Sequence, residues 1–220
     1  MSPGVRMVML GRQGAGKGTQ CVRLARHYVV PHISTGDMLR AAVKEGTAFG
    51  LKAKAVMDAG SLVSDDIMVG VVDERLHQDD TTRRGYVLDG FPRTVPQAEA
   101  LVDIAGDKPL DIVVNLDVPV EVVVERIASR RVCVDCGTIY SITEPPRNGW
   151  HCDRCGGDVV QRDDDTEEAV RRRLDLYEKE TAPLISWFAE RGLLVEIDGQ
   201  GAADDVAERL VAAVDARLAG

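Results

Sequence analysis

Apolar residues along this chain fall into short, almost unbroken runs, separated by longer stretches in which hydrophobic positions recur at helical spacing. Val5-Arg-Met-Val-Met-Leu10 is apolar, rich in branched side chains and ends in glycine, the pattern of a buried strand. Gly11 to Gly18 reads as a loop, and Thr19–Tyr28 then places Val22, Leu24 and Ala25 as a helix does. Strand, glycine loop and helix together open an α/β unit. Further strands are predicted at Gly85–Asp89, Asp111–Asp117 and Leu193–Asp198, with a weaker one near Val29–Ile33. Nearly continuous apolar strands separated by helices imply a parallel sheet covered on both faces. Asp37 is placed to cap Met38–Glu45, Gly60 follows a helix ending near Ala59, and Ser64 is placed to cap Asp65–Gln78. Thr166 is placed to cap a helix reaching about Ala182, where Pro183 breaks or kinks it, and a last helix covers Ala203–Leu218. Ser34–Val63, helical without a strand of its own, and Val132–Val160, with cysteines, Pro145-Pro146 and several glycines, fit the sheet poorly. Both are expected to project from one core, giving units 1–33, 34–63, 64–130, 131–165 and 166–220.

With 220 residues the chain can bury one sizeable core and carry insertions. Its 45% hydrophobic and 29% charged residues exclude disorder, collagen and a coiled coil. A net charge of −9 argues against a general nucleic-acid or anionic-membrane binder, so an anionic ligand must be held by a local cluster of basic residues. No run approaches the roughly 18 apolar residues of a membrane span, no signal-peptide cleavage pattern follows Met1–Leu10, and the expected location is cytoplasmic.

Gly11-Arg-Gln-Gly-Ala-Gly-Lys-Gly-Thr19 matches the phosphate-binding pattern G-x4-G-K, with Gly18 in the usual Ser/Thr place and the hydroxyl one residue later. Glycines let successive backbone N–H groups turn onto phosphate oxygens, a helix N-terminus stands behind them, and Lys17 reaches the β and γ phosphates. In isolation such a loop is only a flexible turn; following a strand and opening a helix, it marks a nucleotide site.

The chain as a whole resembles the adenylate kinase family, in its long-lid, zinc-binding form. The markers occur in order: the phosphate loop, Ser34-Thr-Gly-Asp-Met-Leu-Arg40, Gly60-Ser-Leu-Val-Ser-Asp65, Asp89-Gly-Phe-Pro-Arg-Thr94 with Gln97, Arg126 to Arg131, Arg162-Asp-Asp-Asp165 and Arg171-Arg-Arg-Leu174. The resemblance implies a P-loop nucleoside monophosphate kinase: a five-stranded parallel sheet flanked by helices, with an acceptor-nucleotide insertion and a zinc-ribbon lid. It implies reversible phosphoryl transfer from Mg-ATP to AMP, giving two ADP. Donor-site residues are then Gly14, Ala15, Gly16, Lys17, Gly18, Thr19, Arg126 and Gln200. Acceptor-site residues are Thr35, Arg40, Met57, Val63, Gly90, Arg93 and Gln97, with Arg162 and Arg173, and Gln97 hydrogen-bonds the adenine edge. Lys17, Arg93, Arg126, Arg130, Arg162 and Arg173 surround the phosphoryl group in flight, where stabilisation is electrostatic. Arg171 and Arg172 read as solvated surface charges.

The acceptor phosphate is largely ionised at pH 7 because its second pKa is about 6, so no catalytic base is required and none of His27, His32, His77 and His151 is given that role. Asp89 ends a strand where Gly90 turns the chain, and it resembles the acid that orients water on Mg²⁺; capping the next turn is its alternative role. Asp164 and Asp165 resemble lid acids that position Arg162 and its neighbours on closure, and Asp163 stands where the family often has a basic residue. Gln13 replaces the usual proline of the loop, and Ser64 stands where proline is common.

Cys133, Cys136, Cys152 and Cys155 form C-x2-C-x15-C-x2-C, a strong zinc pattern, while Cys21 stands alone. About 30 residues bury too little apolar surface to hold a shape unaided, and four thiolates on one Zn²⁺ supply the missing stability without leaving a catalytic position open. Iron fits the same cage less well. Residues 132–160 carry two arginines against four acids, the wrong sign for a nucleic-acid surface. By the resemblance this segment is a lid that closes over the donor and excludes water. Partners are therefore expected to be ATP, AMP and ADP, with no nucleic acid or membrane, and the chain is expected to be a monomer. The rivals are a monophosphate kinase for other bases, a nucleotide switch or nucleic-acid reader built on the zinc ribbon, and a dead scaffold, which requires losses among Lys17, Arg93 or Arg162 that the sequence does not show.

Overall fold

The computed structural model describes residues 4–46, 48–58, 61–162 and 165–219, and the side chains of all of these except 48, 49 and 57. The helix end expected at Ala59 and Gly60 and the lid residues Asp163 and Asp164 lie outside the described residues. Elements follow in the order β1 (Val5–Leu10), α1 (Lys17–Tyr28), β2 (His32–Ser34), α2 (Thr35–Lys44), α3 (Ala48–Asp58), α4 (Asp65–Leu76) and α5 (Asp79–Arg84). Next come β3 (Gly85–Asp89), α6 (Val95–Ala105), β4 (Ile112–Asp117), α7 (Val120–Ser129), β5 (Arg130–Cys133), β6 (Ile139–Ser141) and β7 (Val159–Val160). The chain continues through α8 (Glu167–Leu176), a π-helical turn (Tyr177–Thr181), α9 (Pro183–Ala189), β8 (Leu194–Asp198) and α10 (Ala203–Ala219).

Five strands pair in parallel in the order β2-β3-β1-β4-β8, as the apolar runs imply. Their period of two sorts each buried strand into two cores. Val5, Met7 and Met9 of β1 join Ile112, Val114 and Leu116 of β4 against α1, α7 and α10, whose contributions include Leu24, Ile127 and Leu210. Val8, Leu10, Leu88 and Val113 face the other way, onto Met68, Val72, Leu101, Leu184 and Phe188 of α4, α6 and α9. From β1 the chain leads toward β2, and from β4 toward β8 on the other side, so it diverges beside β1 and leaves a crevice at the C-terminal edge of the sheet. Register brings the site-bearing ends together there: Asp89 lies opposite Met9 of β1 and Ser34 of β2.

Several boundaries differ from the pattern-based ones. α1 starts at Lys17, because the glycine loop leads directly into it. Val29 is not a strand residue; it ends α1 in the left-handed region at φ 55°, and the strand is shifted to His32–Ser34. Ser34, not Asp37, caps α2, its hydroxyl accepting from Asp37 N at 3.2 Å, because the Asp37 carboxylate is taken by Arg40. Ser64 occupies the cap position of α4 without a side-chain cap bond, and that helix ends at Leu76 before α5. Thr166 does cap α8, accepting from Ala169 N at 3.3 Å. Pro183 does not end the helical path. It opens α9 after the π-helical turn, at a position whose missing N–H costs nothing.

Candidate active site

The phosphate loop is fixed from its neighbours. Gly14 has φ 82°, and a Cβ there would stand 2.7 Å from Ile127 Cγ1 and 2.9 Å from the Val123 carbonyl, so only glycine lets the loop lie on α7. Gly16 ends the loop at φ 102°, and Lys17, Gly18 and Thr19 form the first turn of α1, where backbone N–H groups lack helical acceptors. The Lys17 ammonium folds over the loop, donating to the carbonyls of Gly11 at 2.8 Å and Arg12 at 2.9 Å. Burial lowers its pKa, Asp89 opposes that shift, and Arg93 and Arg130 add to it.

Asp89 and Gly90 connect the loop to the acceptor side. The buried Thr35 donates to the Gly90 carbonyl at 2.9 Å. Gly90 has φ 82°, and a Cβ there would meet Thr35 Oγ1 at 2.8 Å and Arg93 Nη2 at 3.2 Å. The Phe91–Pro92 peptide is cis. Arg93 Nε donates to the Gly90 carbonyl at 2.8 Å, and burial lowers the Arg93 pKa, with Asp89 opposing and Arg173 and Arg40 adding. Arg40 pairs with Asp37, whose pKa burial raises but which Arg40, Ser34 and Arg162 together hold below the usual range. Arg40, Arg93, Arg130, Arg173 and Lys17 thus share one electrostatic neighbourhood, with Arg162 at its margin beside Asp37.

Gln97 is buried with its amide engaged on the protein: Oε1 accepts from Arg93 N at 2.8 Å and Nε2 donates to Asp65 Oδ1 at 2.6 Å. Thr94 donates to the other Asp65 oxygen at 2.9 Å. Asp65 therefore ties α4 to α6 under the acceptor loop, a role sequence reasoning missed because an acid at a helix start reads as a favourable end charge. Val63 packs half-buried on the second core. Met57 lies on α3, and its side chain is outside the described residues.

Arg126 donates to Ala15 O at 3.1 Å and, through Nη2, to Gly199 O at 3.2 Å, fixing its guanidinium beside the loop. Gln200 follows at the end of β8, exposed, its N–H donating to Asp198 at 2.9 Å. Arg130 makes a two-point pair with the fully buried Asp165 carboxylate. Arg173 donates to Gln13 Oε1 at 3.1 Å, a second contact the sequence did not disclose. Arg171 and Arg172 make exposed i,i+4 pairs, as expected for surface charges.

The four cysteines converge as well. Their sulfurs all lie within 4.8 Å of one another, with Cys133 to Cys155 at 3.4 Å and Cys136 to Cys152 at 3.5 Å. Gly137 N donates to Cys133 O and Gly156 N to Cys152 O, so each Cys pair sits on a tight turn. Tyr140 OH and backbone N–H groups pull the Cys152 pKa down to about 6. Tetrahedral Zn–S bonds of about 2.3 Å separate sulfurs by roughly 3.8 Å, so this cage fits the ion.

A sequence model of adenylate kinase matches residues 9–193. The chain belongs to the adenylate kinase family. Similar curated proteins include an adenylate kinase of Syntrophotalea carbinolica, 51% identical over 217 residues that cover 97% of this chain and 100% of the relative. An adenylate kinase of Methanosarcina mazei is 52% identical over 198 residues, covering 89% and 91%, and one of Bacillus subtilis is 48% identical over 205 residues, covering 92% and 94%. Adenylate kinases are nucleoside monophosphate kinases that move a phosphoryl group reversibly between ATP and AMP and use Mg²⁺ with ATP. No helix among the described residues is long and apolar enough to cross a membrane.

Proposed function

We propose that this adenylate kinase moves the γ-phosphoryl group of Mg-ATP to AMP in one in-line step while both nucleotides are bound. The observation that carries the reading is the cluster of Lys17, Arg40, Arg93, Arg130 and Arg173 at the crevice. Among the described residues, Lys17 and Arg93 donate to backbone carbonyls rather than to a carboxylate, which leaves their charge for an anion. Like charges held this close repel unless a polyanion lies between them.

The loop N–H groups of Gly14 to Thr19 hold the donor phosphates, with Arg126 and Gln200 beside the donor nucleoside. Thr35, Met57, Val63, Gly90 and Gln97 hold the acceptor, Gln97 keeping one amide hydrogen for the adenine edge, and Arg40 and Arg93 take its phosphate. Arg130, Arg162 and Arg173 face the group in flight, Arg162 and Arg173 from the acceptor side too. Asp89 would hold Mg²⁺ through water, and the ion would supply neutralisation of the charge on the donor phosphates. Cys133, Cys136, Cys152 and Cys155 hold a structural Zn²⁺ in a lid at 131–165, which closes with the acceptor insertion at 34–63 over a core made of 1–33, 64–130 and 166–220. The chain acts as a monomer in the cytoplasm. ADP production from ATP and AMP tests the reading, with CMP, UMP and GMP as alternative acceptors. Lys17→Met and Arg93→Gln are each expected to lower kcat by about 10²-fold or more. Undiminished turnover in either variant, or preference for another acceptor, overturns it.

A further inference from the structure

Behind the phosphate loop, Cys21 of α1, His32 of β2 and Asp89 of β3 turn toward one another. A sulfur, a ring nitrogen and a carboxylate oxygen from them all lie within 4.8 Å of each other. His32 Nε2 is 3.8 Å from Asp89 Oδ2, too long for a hydrogen bond, and it is buried with no partner. Cys21 is fully buried. Orphaned buried polar atoms are rare, and an unoccupied ligand position is one standing reason for them. Thiol, imidazole and carboxylate together suit a borderline transition-metal ion and not Mg²⁺, which takes oxygen. Tetrahedral bonds of about 2.0 Å to nitrogen or oxygen and 2.3 Å to sulfur put the N and O donors roughly 3.3 Å apart and the sulfur roughly 3.5 Å from each, so the His32–Asp89 spacing closes by about 0.5 Å and the other gaps by about 1.3 Å at most.

We propose that Cys21, His32 and Asp89 form an inhibitory site for a borderline divalent transition-metal ion such as Zn²⁺ or Co²⁺, separate from the four-cysteine centre. On binding, the ion bonds to Cys21 Sγ, His32 Nε2 and an Asp89 oxygen, and the thiol proton leaves to solvent. Thiolate and carboxylate then balance the two positive charges; because the metal-free site carries only the Asp89 charge, binding adds one net positive charge beside Lys17, and thiolate formation keeps it from being two. The fourth position stays open to water. Inhibition follows because Asp89 is drawn away from Mg-ATP; that consequence rests on the proposed function, whereas ion binding does not.

The test uses full-length protein with the four-cysteine centre loaded with zinc. Co²⁺ binds such ligands less tightly than Zn²⁺ and leaves that centre in place. Wild type is expected to take up a further metal ion per chain, to gain a thiolate-to-cobalt charge-transfer absorbance, and to lose activity about tenfold or more at saturating Mg-ATP and AMP. Cys21→Ala and His32→Asn are expected to keep activity without Co²⁺, to lose its inhibition, and in Cys21→Ala to lose the absorbance. Failure of wild type to bind the ion, or binding and inhibition unchanged in both variants, overturns the proposal. Because uptake and absorbance are read without turnover, they decide the site even where the phosphotransfer reading fails.

Discussion

Gln13 stands where the family's loop usually has proline, and its amide holds a guanidinium from 160 positions away: Oε1 accepts from Arg173 at 3.1 Å, while Nε2 is buried without a partner. Gln13→Ala removes the acceptor and leaves the loop backbone in place. Losing one hydrogen bond to a charged group, about 1.5 kcal/mol, is expected to lower kcat roughly tenfold with KM for AMP little changed. Steady-state kinetics reads the split, and an unaltered kcat contradicts the positioning role. Tyr86 presents a stability question instead. Its hydroxyl is buried with no partner, and burial pushes its pKa up to about 12. An unfolded tyrosine ionises near pH 10, so this residue favours the folded state most below that pH and loses the contribution as pH rises from about 10 to about 12. Tyr86→Phe removes the orphaned hydroxyl and this titration together. Urea unfolding is expected to show a gain of about 1 kcal/mol at pH 8 and a flatter alkaline limb. The placement of residues at fixed spacing, Lys17 and the four cysteines above all, was legible in the sequence because backbone geometry within one turn or loop dictates it. Gln13 with Arg173, and Asp65 with Gln97, were not, because those contacts depend on where α8 and α4 land.

Among elements, the buried strands β1, β3 and β4 announced themselves because both faces are covered and most positions are apolar. Helices α6, α7 and α9 were not singled out beforehand, since the visible markers were caps and breakers rather than these amphipathic segments. β5, β6 and β7 escaped notice for a plainer reason: at two to four residues they carry no readable period. Among the described residues their core consists of Cys133, Cys152 and Val159, with Cys136 and Tyr140 packed against it, too little apolar surface to fix a sheet. On the proposed function, a metal on the four cysteines carries the fold of this segment. Chelating the zinc is expected to lower the melting temperature and to open residues 131–165 to proteolysis while the parallel sheet stays protected. An unchanged melting temperature and digestion pattern in metal-free protein contradict that.

For the whole molecule, a net charge of −9 surrounds a crevice lined by cations, so attraction for phosphate is local rather than global. The two segments that fit the sheet poorly approach each other: Lys44 of α2 reaches Asp135 beside the cysteines at 3.7 Å, and Arg162 lies near Asp37. On the proposed function these contacts belong to a lid and an acceptor insertion, and the account requires the phosphoryl group to pass between the two nucleotides without a stop on the protein. The direct measurement is the stereochemical course of transfer from ATP made chiral at the γ-phosphorus with oxygen isotopes. A single in-line displacement gives inversion, the result expected here. Retention, the signature of two displacements through a phosphorylated side chain, contradicts the account.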